Sequence, residues 1–169
     1  ATGQFLDEGL KIIVDALDQG YAPQILVYGK DTDYHPLLKR AIDETLKANG
    51  EVLEVTREIL EKISRKDNPQ MVIAVFGQMI RGLDDIDPKS NDVWVALEQI
   101  RDPGNLGTII RTADAAGIGG VILIGDCVDP FSVETVRATM GSIFALPVVK
   151  CTRDAFLADR KRWTGSVVG

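Results

Sequence analysis

The sequence predicts an α/β protein of two units, a small amino-terminal α/β unit over residues 1–80 and a parallel-sheet unit over residues 93–169. Three observations lead to this prediction. A length of 169 residues allows one domain or two small ones. Apolar runs typical of strands alternate with segments of helical period in both halves. Between the halves, residues 81–92 are polar, acidic and without a sustained period, which predicts a linker.

The first unit is predicted to begin with a helix that ends at Gly20, because Leu6, Leu10, Ile13, Val14 and Leu17 would share one face. QILVYG is typical of a strand, and a helix follows up to Gly50. EVLEVT predicts a second strand, REILEKISR a short helix, DNPQ a turn and MVIAVF a third strand. This alternation favours parallel strands joined by right-handed crossovers.

The second unit shows the same alternation, with a loop through Asn105 and a helix up to Ala116. Its predicted strands are VWVAL, VILIG, ALPVVK and GSVVG, and its later helices are FSVETVRATM and RDAFLADRK. A parallel domain that ends on an apolar strand without a covering helix leaves one face unburied. We therefore expect the natural protein to continue beyond Gly169.

Composition restricts the kinds of partner. The formal net charge of −6 repels polyanions, so any contact with nucleic acid must rest on a local basic patch. Cys127 and Cys151 have no Cys-x-x-Cys spacing and are predicted to be free thiols in a reducing cytosol. A single histidine and scattered cysteines give no metal-ligand spacing. No leader is recognisable and no apolar run approaches the ~18 residues of a membrane span, which predicts a soluble cytoplasmic protein.

The segment DPGNLGTIIRTADAAG places an arginine in a helix that would not need one for packing. Arg111 lies off the predicted core-facing stripe, which consists of Leu106, Ile109, Ile110, Ala113 and Gly117. We expect it to project from the first turns of the helix, beside the carboxyl end of a strand, where open α/β sheets bind ligands. The alternative is purely structural, with Asn105 as the helix N-cap and Arg111 paired on the surface to Asp114 or Glu134.

A nucleotide site is a second alternative, because Gly104 and Gly107 stand between a strand and a helix and Asp126 follows the next strand. The Gly-x-x-Gly spacing lacks the Gly-x-Gly-x-x-Gly order of a dinucleotide site, which makes this reading the weaker one.

As a whole string, DPGNLGTIIRTADAAGIGGVILIG followed by VRATMGSIFALPV resembles the first motif region of the SpoU family of RNA ribose 2'-O-methyltransferases, in the knotted SPOUT superfamily. The signature Asn-x-Gly-x-x-x-Arg-Thr-Ala corresponds to Asn105 to Ala113. FLDEGLKIIVDAL resembles the start of the family's substrate-binding domain, a small α/β module similar to ribosomal RNA-binding proteins. The resemblance thus covers almost the full chain.

The resemblance implies that S-adenosylmethionine is the cofactor, that rRNA or tRNA is methylated, and that the protein is a homodimer. The family's Gly-Asn-Glu-like loop and its Ile-Pro and Ser-Leu-Asn segments form the knot and most of the cofactor pocket. We expect these segments, and with them the cofactor-binding residues, beyond Gly169. The chain would then stop before the knot and keep only the Asn105 and Arg111 part of the active site.

By the same resemblance, Arg111 is the candidate catalytic residue and proton acceptor, oriented by Asn105. A guanidinium is almost always charged, so holding a phosphate and stabilising the developing alkoxide suits Arg111 better. Further RNA contacts are predicted for Arg137 and for a basic cluster in the first unit, Lys62, Arg65 and Lys66, unless these are only solvated helix surface. His35, at a helix start, is predicted to be structural. The competing function is a non-catalytic RNA-binding relative with the same fold.

Overall fold

A computed structural model describes residues 3–33, 35–65, 70–87 and 92–169. The chain divides into two compact units, Ala1–Gln78 and Met79–Gly169. Each unit has its own four-stranded sheet, which confirms the α/β fold class. In the first unit, the elements in chain order are β1 (Gln4–Glu8), α1 (Leu10–Asp18), β2 (Ile25–Gly29), α2 (Pro36–Lys47), β3 (Glu51–Val55), α3 (Arg57–Ser64) and β4 (Val72–Gly77).

The predicted first helix is wrong at its start, because Leu6 lies in strand β1 and helix α1 begins only at Leu10. Gly9 separates the two elements with φ of 109°, a conformation that favours glycine. Strand β1 pairs with β4 so that Phe5 lies opposite Phe76, and their ring centroids are 5.7 Å apart. This long-range pairing, which no local period reveals, decides that the segment is a strand.

The first sheet is mixed, whereas the alternation of elements favoured parallel strands. Its order is β1-β4-β2-β3, and β4 runs antiparallel to both β1 and β2. Only β2 and β3 are parallel. Val27, Leu60 and Ile73 form a buried core cluster between the sheet and α3.

In the second unit, the elements in chain order are β5 (Ile80–Arg81), a 3-10 turn (Leu83–Asp85), β6 (Trp94–Glu98), α4 (Pro103–Ala115), β7 (Gly120–Ile124), α5 (Val133–Thr139), α6 (Ser142–Ala145), β8 (Val148–Cys151), α7 (Arg153–Asp159) and a second 3-10 turn (Arg160–Arg162). The strand order is β5-β8-β7-β6, and every pair is parallel, as predicted for this unit. All residues of β7 are buried, as expected for a central strand covered on both faces.

Part of the predicted linker over 81–92 belongs to the second unit. Ile80 and Arg81 pair with Val148 and Val149 of β8, and Asp85 accepts a hydrogen bond from the Gly82 N–H at 2.8 Å. Ile86 is only 4% exposed and belongs to the same buried cluster as Ile122, Ile124 and Val149. Backbone pairing of β5 and the single buried side chain of Ile86 attach this segment to the sheet, and neither produces an apolar period. Residues 88–91 lie outside the described residues.

The predicted last strand, GSVVG, is wrong, because residues 165–169 form no strand and Val168 is 89% exposed. A strand needs a neighbouring edge whose backbone groups accept and donate its hydrogen bonds. The described sheet keeps the order β5-β8-β7-β6, and residues 165–169 pair with neither of its edge strands, β5 and β6.

Candidate functional site

The candidate site lies at the carboxyl ends of three parallel strands of the second unit, β6, β7 and β8. We call this end of the sheet, where the three strands stop, the carboxyl edge. Strand β6 ends at Glu98, and Gln99 then adopts a left-handed conformation with φ of 55°. A non-glycine residue in this region is strained, and such residues cluster at functional sites. The turn leads directly into α4, which carries Asn105 and Arg111.

Asp102, and not Asn105, is the N-cap of α4. Its carboxylate accepts a hydrogen bond from the Asn105 backbone N–H at 2.6 Å, and Pro103 occupies the first helical position, where its missing N–H costs nothing. The alternative that Asn105 serves as the cap is therefore wrong. The Asn105 side chain is exposed and has no hydrogen-bond partner among the residues that the structure describes.

Arg111 lies in the third turn of α4 rather than in the first turns, because the helix already begins at Pro103. The buried face of α4 consists of Leu106, Gly107, Ile110 and Ala113, so Arg111 lies off the core as predicted. Within the described ranges Arg111 forms no ion pair, and neither Asp114 nor Glu134 holds its guanidinium. The purely structural explanation for Arg111 thus lacks the partner that it requires.

Gly107 is the point of closest approach between α4 and α5. A Cβ atom at this position would lie 2.5 Å from the Ala138 Cβ and 2.6 Å from the Thr135 carbonyl oxygen. Both distances are shorter than any ordinary contact. Arg111 lies one helical turn beyond this contact on α4, and its side chain is exposed.

These contacts argue against a dinucleotide site. The space beside Gly107 is filled by α5 and is not open to a phosphate group. The Asp102 carboxylate occupies the amino-terminal end of α4, where a pyrophosphate would have to bind. Asp126, the candidate ribose-binding acid, instead accepts a hydrogen bond from Arg101 at 2.6 Å.

Ion pairs connect the loops around the carboxyl edge. Arg101 pairs with Asp126 at 2.6 Å, Arg153 with Glu98 at 3.5 Å and Lys150 with Asp129 at 3.8 Å. The sequence analysis did not identify Arg101, Lys150 and Arg153 as site residues, because their ion-pair partners are distant in the chain. Their position could have indicated them, since each stands at or near the end of a parallel strand, where the ends of neighbouring strands lie close together.

The remaining predicted RNA contacts lie on both units. Arg137 is half-buried in the last turn of α5, on the same unit as Arg111. Lys62 and Arg65 are exposed at the end of α3 in the first unit, and Lys66 lies outside the described residues. His35 caps α2, because its Nδ1 atom accepts a hydrogen bond from the Leu37 N–H at 3.2 Å.

Both cysteines are free thiols and half-buried. Burial raises the pKa of Cys151, and the nearby Asp159 and Cys127 raise it further.

A cavity of about 490 Å³ in this unit is lined mainly by Trp94, Phe156 and residues 163–168, and includes neither Asn105 nor Arg111. In the described residues, no group of three His, Cys, Asp or Glu side chains is placed to hold a metal ion. No helix found there has the length and apolar character needed to cross a membrane.

Comparison with known proteins assigns both halves of the chain. Residues 92–167 match the SpoU rRNA Methylase family, and residues 1–74 match the MRM3-like substrate binding domain. A 23S rRNA (uridine(2479)-2'-O)-methyltransferase of Streptomyces viridochromogenes is 31% identical over 149 residues, which are 88% of this chain and 51% of that protein. A 23S rRNA (guanosine(2553)-2'-O)-methyltransferase of Bacillus subtilis is 30% identical over 161 residues, 95% of this chain and 59% of that protein.

Solved structures agree with the sequence comparisons. The crystal structure of an AdoMet-bound rRNA methyltransferase from Sinorhizobium meliloti superimposes with a TM-score of 0.88 at 48% identity, over 95% of this chain and 59% of the other. The chain thus spans about half to three fifths of the length of these relatives. The two family models together account for nearly all of the chain, whose second unit belongs to the SpoU rRNA Methylase family and whose first unit belongs to the MRM3-like substrate binding domain.

Proposed function

We propose that the whole protein transfers a methyl group from S-adenosylmethionine to a ribose 2'-hydroxyl of rRNA. The observation that supports this most is the exposed Arg111, which forms no ion pair with any residue that the structure describes and lies in the family's signature segment beside the carboxyl edge. The Streptomyces viridochromogenes and Bacillus subtilis relatives act on 23S rRNA, which favours rRNA over tRNA as the substrate. The first unit corresponds to a substrate-binding domain, so it is proposed to contact the same RNA through Lys62 and Arg65.

Transfer to a 2'-hydroxyl requires alignment of the hydroxyl, removal of its proton and restraint of the neighbouring phosphate. The guanidinium of Arg111 suits the last task, because its planar fork binds two phosphate oxygens at once. Its permanent charge also stabilises negative charge that develops on the ribose oxygen. The Asn105 amide, exposed and without a hydrogen-bond partner among the described residues, is available to orient the ribose.

S-adenosylmethionine supplies the methyl group when it is bound, but the described residues around Asn105 and Arg111 do not form a cradle for it. The space at Gly107 is filled by Ala138, the amino-terminal end of α4 is capped by Asp102, and Asp126 is held by Arg101. The part of the site described above is therefore assigned to the RNA and not to the cofactor.

The test is methyl transfer from tritiated S-adenosylmethionine to rRNA by the whole protein. Arg111→Ala should lower kcat/KM by a factor of ~100 or more, because a charged contact to the transition state is lost. The melting temperature should stay unchanged, since Arg111 lies off the buried face. Arg111→Lys keeps the charge without the fork and should retain an intermediate rate. Salt-dependent RNA binding without any methyl transfer would instead identify a non-catalytic RNA-binding protein.

A homodimer in the cytoplasm is part of the same proposal, following the family resemblance of the signature segment. Sedimentation equilibrium of the whole protein tests the dimer, and a monomeric mass throughout the micromolar range would contradict it.

A further inference from the structure

The ion pair between Arg101 and Asp126 stands at the entrance to α4. Arg101 directly precedes the helix cap Asp102, and Asp126 follows strand β7. Their atoms Nη1 and Oδ2 are 2.6 Å apart, yet the two side chains remain 66% and 81% exposed. An ion pair this exposed contributes little to stability, because water competes with both partners.

The two loops that carry this pair are already joined without it. The Val128 N–H donates a hydrogen bond to the Ile100 carbonyl oxygen at 2.8 Å, and the Cys127 thiol lies 3.7 Å from the Leu97 carbonyl oxygen. The left-handed conformation of Gln99 fixes the direction of the chain just before Arg101. The backbone on either side of this ion pair is therefore held by these contacts, so the Arg101–Asp126 pair is not required to join the two loops.

We propose that Arg101 is a further phosphate-binding residue for the RNA substrate and that Asp126 lowers its affinity by competing for the same guanidinium. This proposal rests on the proposed function, since it assigns another contact at the same site. In the free protein Arg101 is bound to the carboxylate, and in the complex it is bound to an RNA phosphate.

The chemistry of the two partners makes the exchange feasible. A carboxylate and a phosphate each present two oxygen atoms with similar spacing to the planar guanidinium, so a phosphate can replace the carboxylate without a change in loop conformation. The protein has a net charge of −6, so a phosphate reaches Arg101 only where neighbouring cations offset the repulsion. Arg111, about 12 Å further along the helix that begins just after Arg101, adds a second exposed cation to this segment and forms no ion pair with any described residue.

The experiment measures binding of a fluorescein-labelled RNA hairpin to the whole protein by fluorescence anisotropy at a series of salt concentrations. Arg101→Gln should weaken binding about fivefold at low salt and reduce the slope of log Kd against log salt by about 0.7–0.9, the value for one lost phosphate contact. Asp126→Asn should strengthen binding about threefold, because the guanidinium no longer has a competitor.

A double variant separates competition from a general effect of charge. If Asp126 acts through Arg101, then Asp126→Asn should have no effect in the Arg101→Gln background. Asp18→Asn is the matched control, because Asp18 forms an exposed ion pair of the same length, 2.6 Å, with Arg40 in the first unit. It changes the net charge equally and should leave RNA binding unchanged.

Three results would overturn the proposal. Unchanged affinity of both single variants, while Arg111→Ala weakens binding, would refute the role of Arg101 but leave the proposed function intact. Equal strengthening by Asp126→Asn with and without Arg101, or by Asp18→Asn, would show a general charge effect. No salt-dependent binding of the RNA hairpin by the wild-type chain would contradict both this proposal and the RNA-binding part of the proposed function.

Discussion

The contact between α4 and α5 at Gly107 offers the most direct test of how the signature segment is built. Replacing Gly107 by alanine adds one methyl group at a position where it would lie 2.5 Å from the Ala138 Cβ and 2.6 Å from the Thr135 carbonyl oxygen. Carbon atoms in contact prefer a separation of about 3.5–4.0 Å, so the helices must separate by roughly 1 Å. The carbonyl oxygen belongs to the backbone of α5 and cannot move aside as a flexible side chain would.

Two opposing contributions determine how much Gly107→Ala should change the free energy of unfolding. Alanine favours the helical state over glycine by about 1 kcal/mol. Overpacking of a close contact costs about 1–3 kcal/mol, and more where backbone atoms are involved. The second effect should exceed the first, so we expect Gly107→Ala to lower the free energy of unfolding by about 1–2 kcal/mol in urea titrations.

Gly104→Ala is the matched control for this substitution. Gly104 lies on the same helix, but its added Cβ would approach only the Asp102 side chain, at 3.3 Å. With no overpacking to oppose the helix preference of alanine, we expect Gly104→Ala to leave the free energy of unfolding unchanged or to raise it by up to about 1 kcal/mol. A Gly107→Ala variant as stable as the wild type would refute the close helix contact, and would reopen the possibility that Gly107 serves the approach of a ligand.

Three further predictions concern other parts of the second unit. Ile86→Ala should lower the free energy of unfolding by about 2–4 kcal/mol, because Ile86 is 4% exposed within the core cluster; a loss below about 0.5 kcal/mol would mean that this segment is a linker after all. Asp102→Ala should cost about 1 kcal/mol in the same urea assay, since the Asn105 N–H loses its acceptor at the helix N-cap; no loss would show that the cap is dispensable. Burial and Asp159 raise the pKa of Cys151, so less of its thiolate is present at any given pH. In a Cys127→Ser variant, the rate of alkylation of Cys151 by iodoacetamide should therefore be half-maximal at a higher pH than for a free cysteine. A midpoint at or below that of free cysteine would contradict the buried environment assigned to Cys151.

Local sequence was most informative where an element is long and strongly periodic. The end of helix α4 was predicted at Ala116 and is observed at Ala115, because its apolar spacing is regular. The predicted loop through Asn105 is wrong, since the helix already begins at Pro103. Strand β1 was missed, since Leu6 happens to continue the apolar period of α1. Pairing with β4 outweighs that period, and this pairing joins residues about seventy positions apart.

The direction of strands and the role of short segments also depend on distant partners. Nothing in MVIAVF indicates that β4 runs antiparallel between β1 and β2, because a strand buried on both faces has the same composition in either direction. Residues 80–86 have no period, yet β5 and Ile86 attach them to the second sheet. The last strand was predicted from composition alone and is not formed, since an apolar composition does not by itself provide backbone pairing with a neighbouring strand.

By itself the sequence determined the fold class, the family and the identity of Asn105 and Arg111 as candidates, because these follow from residue types at fixed spacings along one helix. Only the tertiary structure decided which side chains around them are available for chemistry. It placed Asp102 in the capping role expected for Asn105, left Arg111 without a partner among the described residues, and brought Asp126 within 2.6 Å of Arg101. The physical reason is that parallel strands bring their carboxyl ends together, and a hydrogen bond or ion pair there depends on distance in space rather than on separation along the chain.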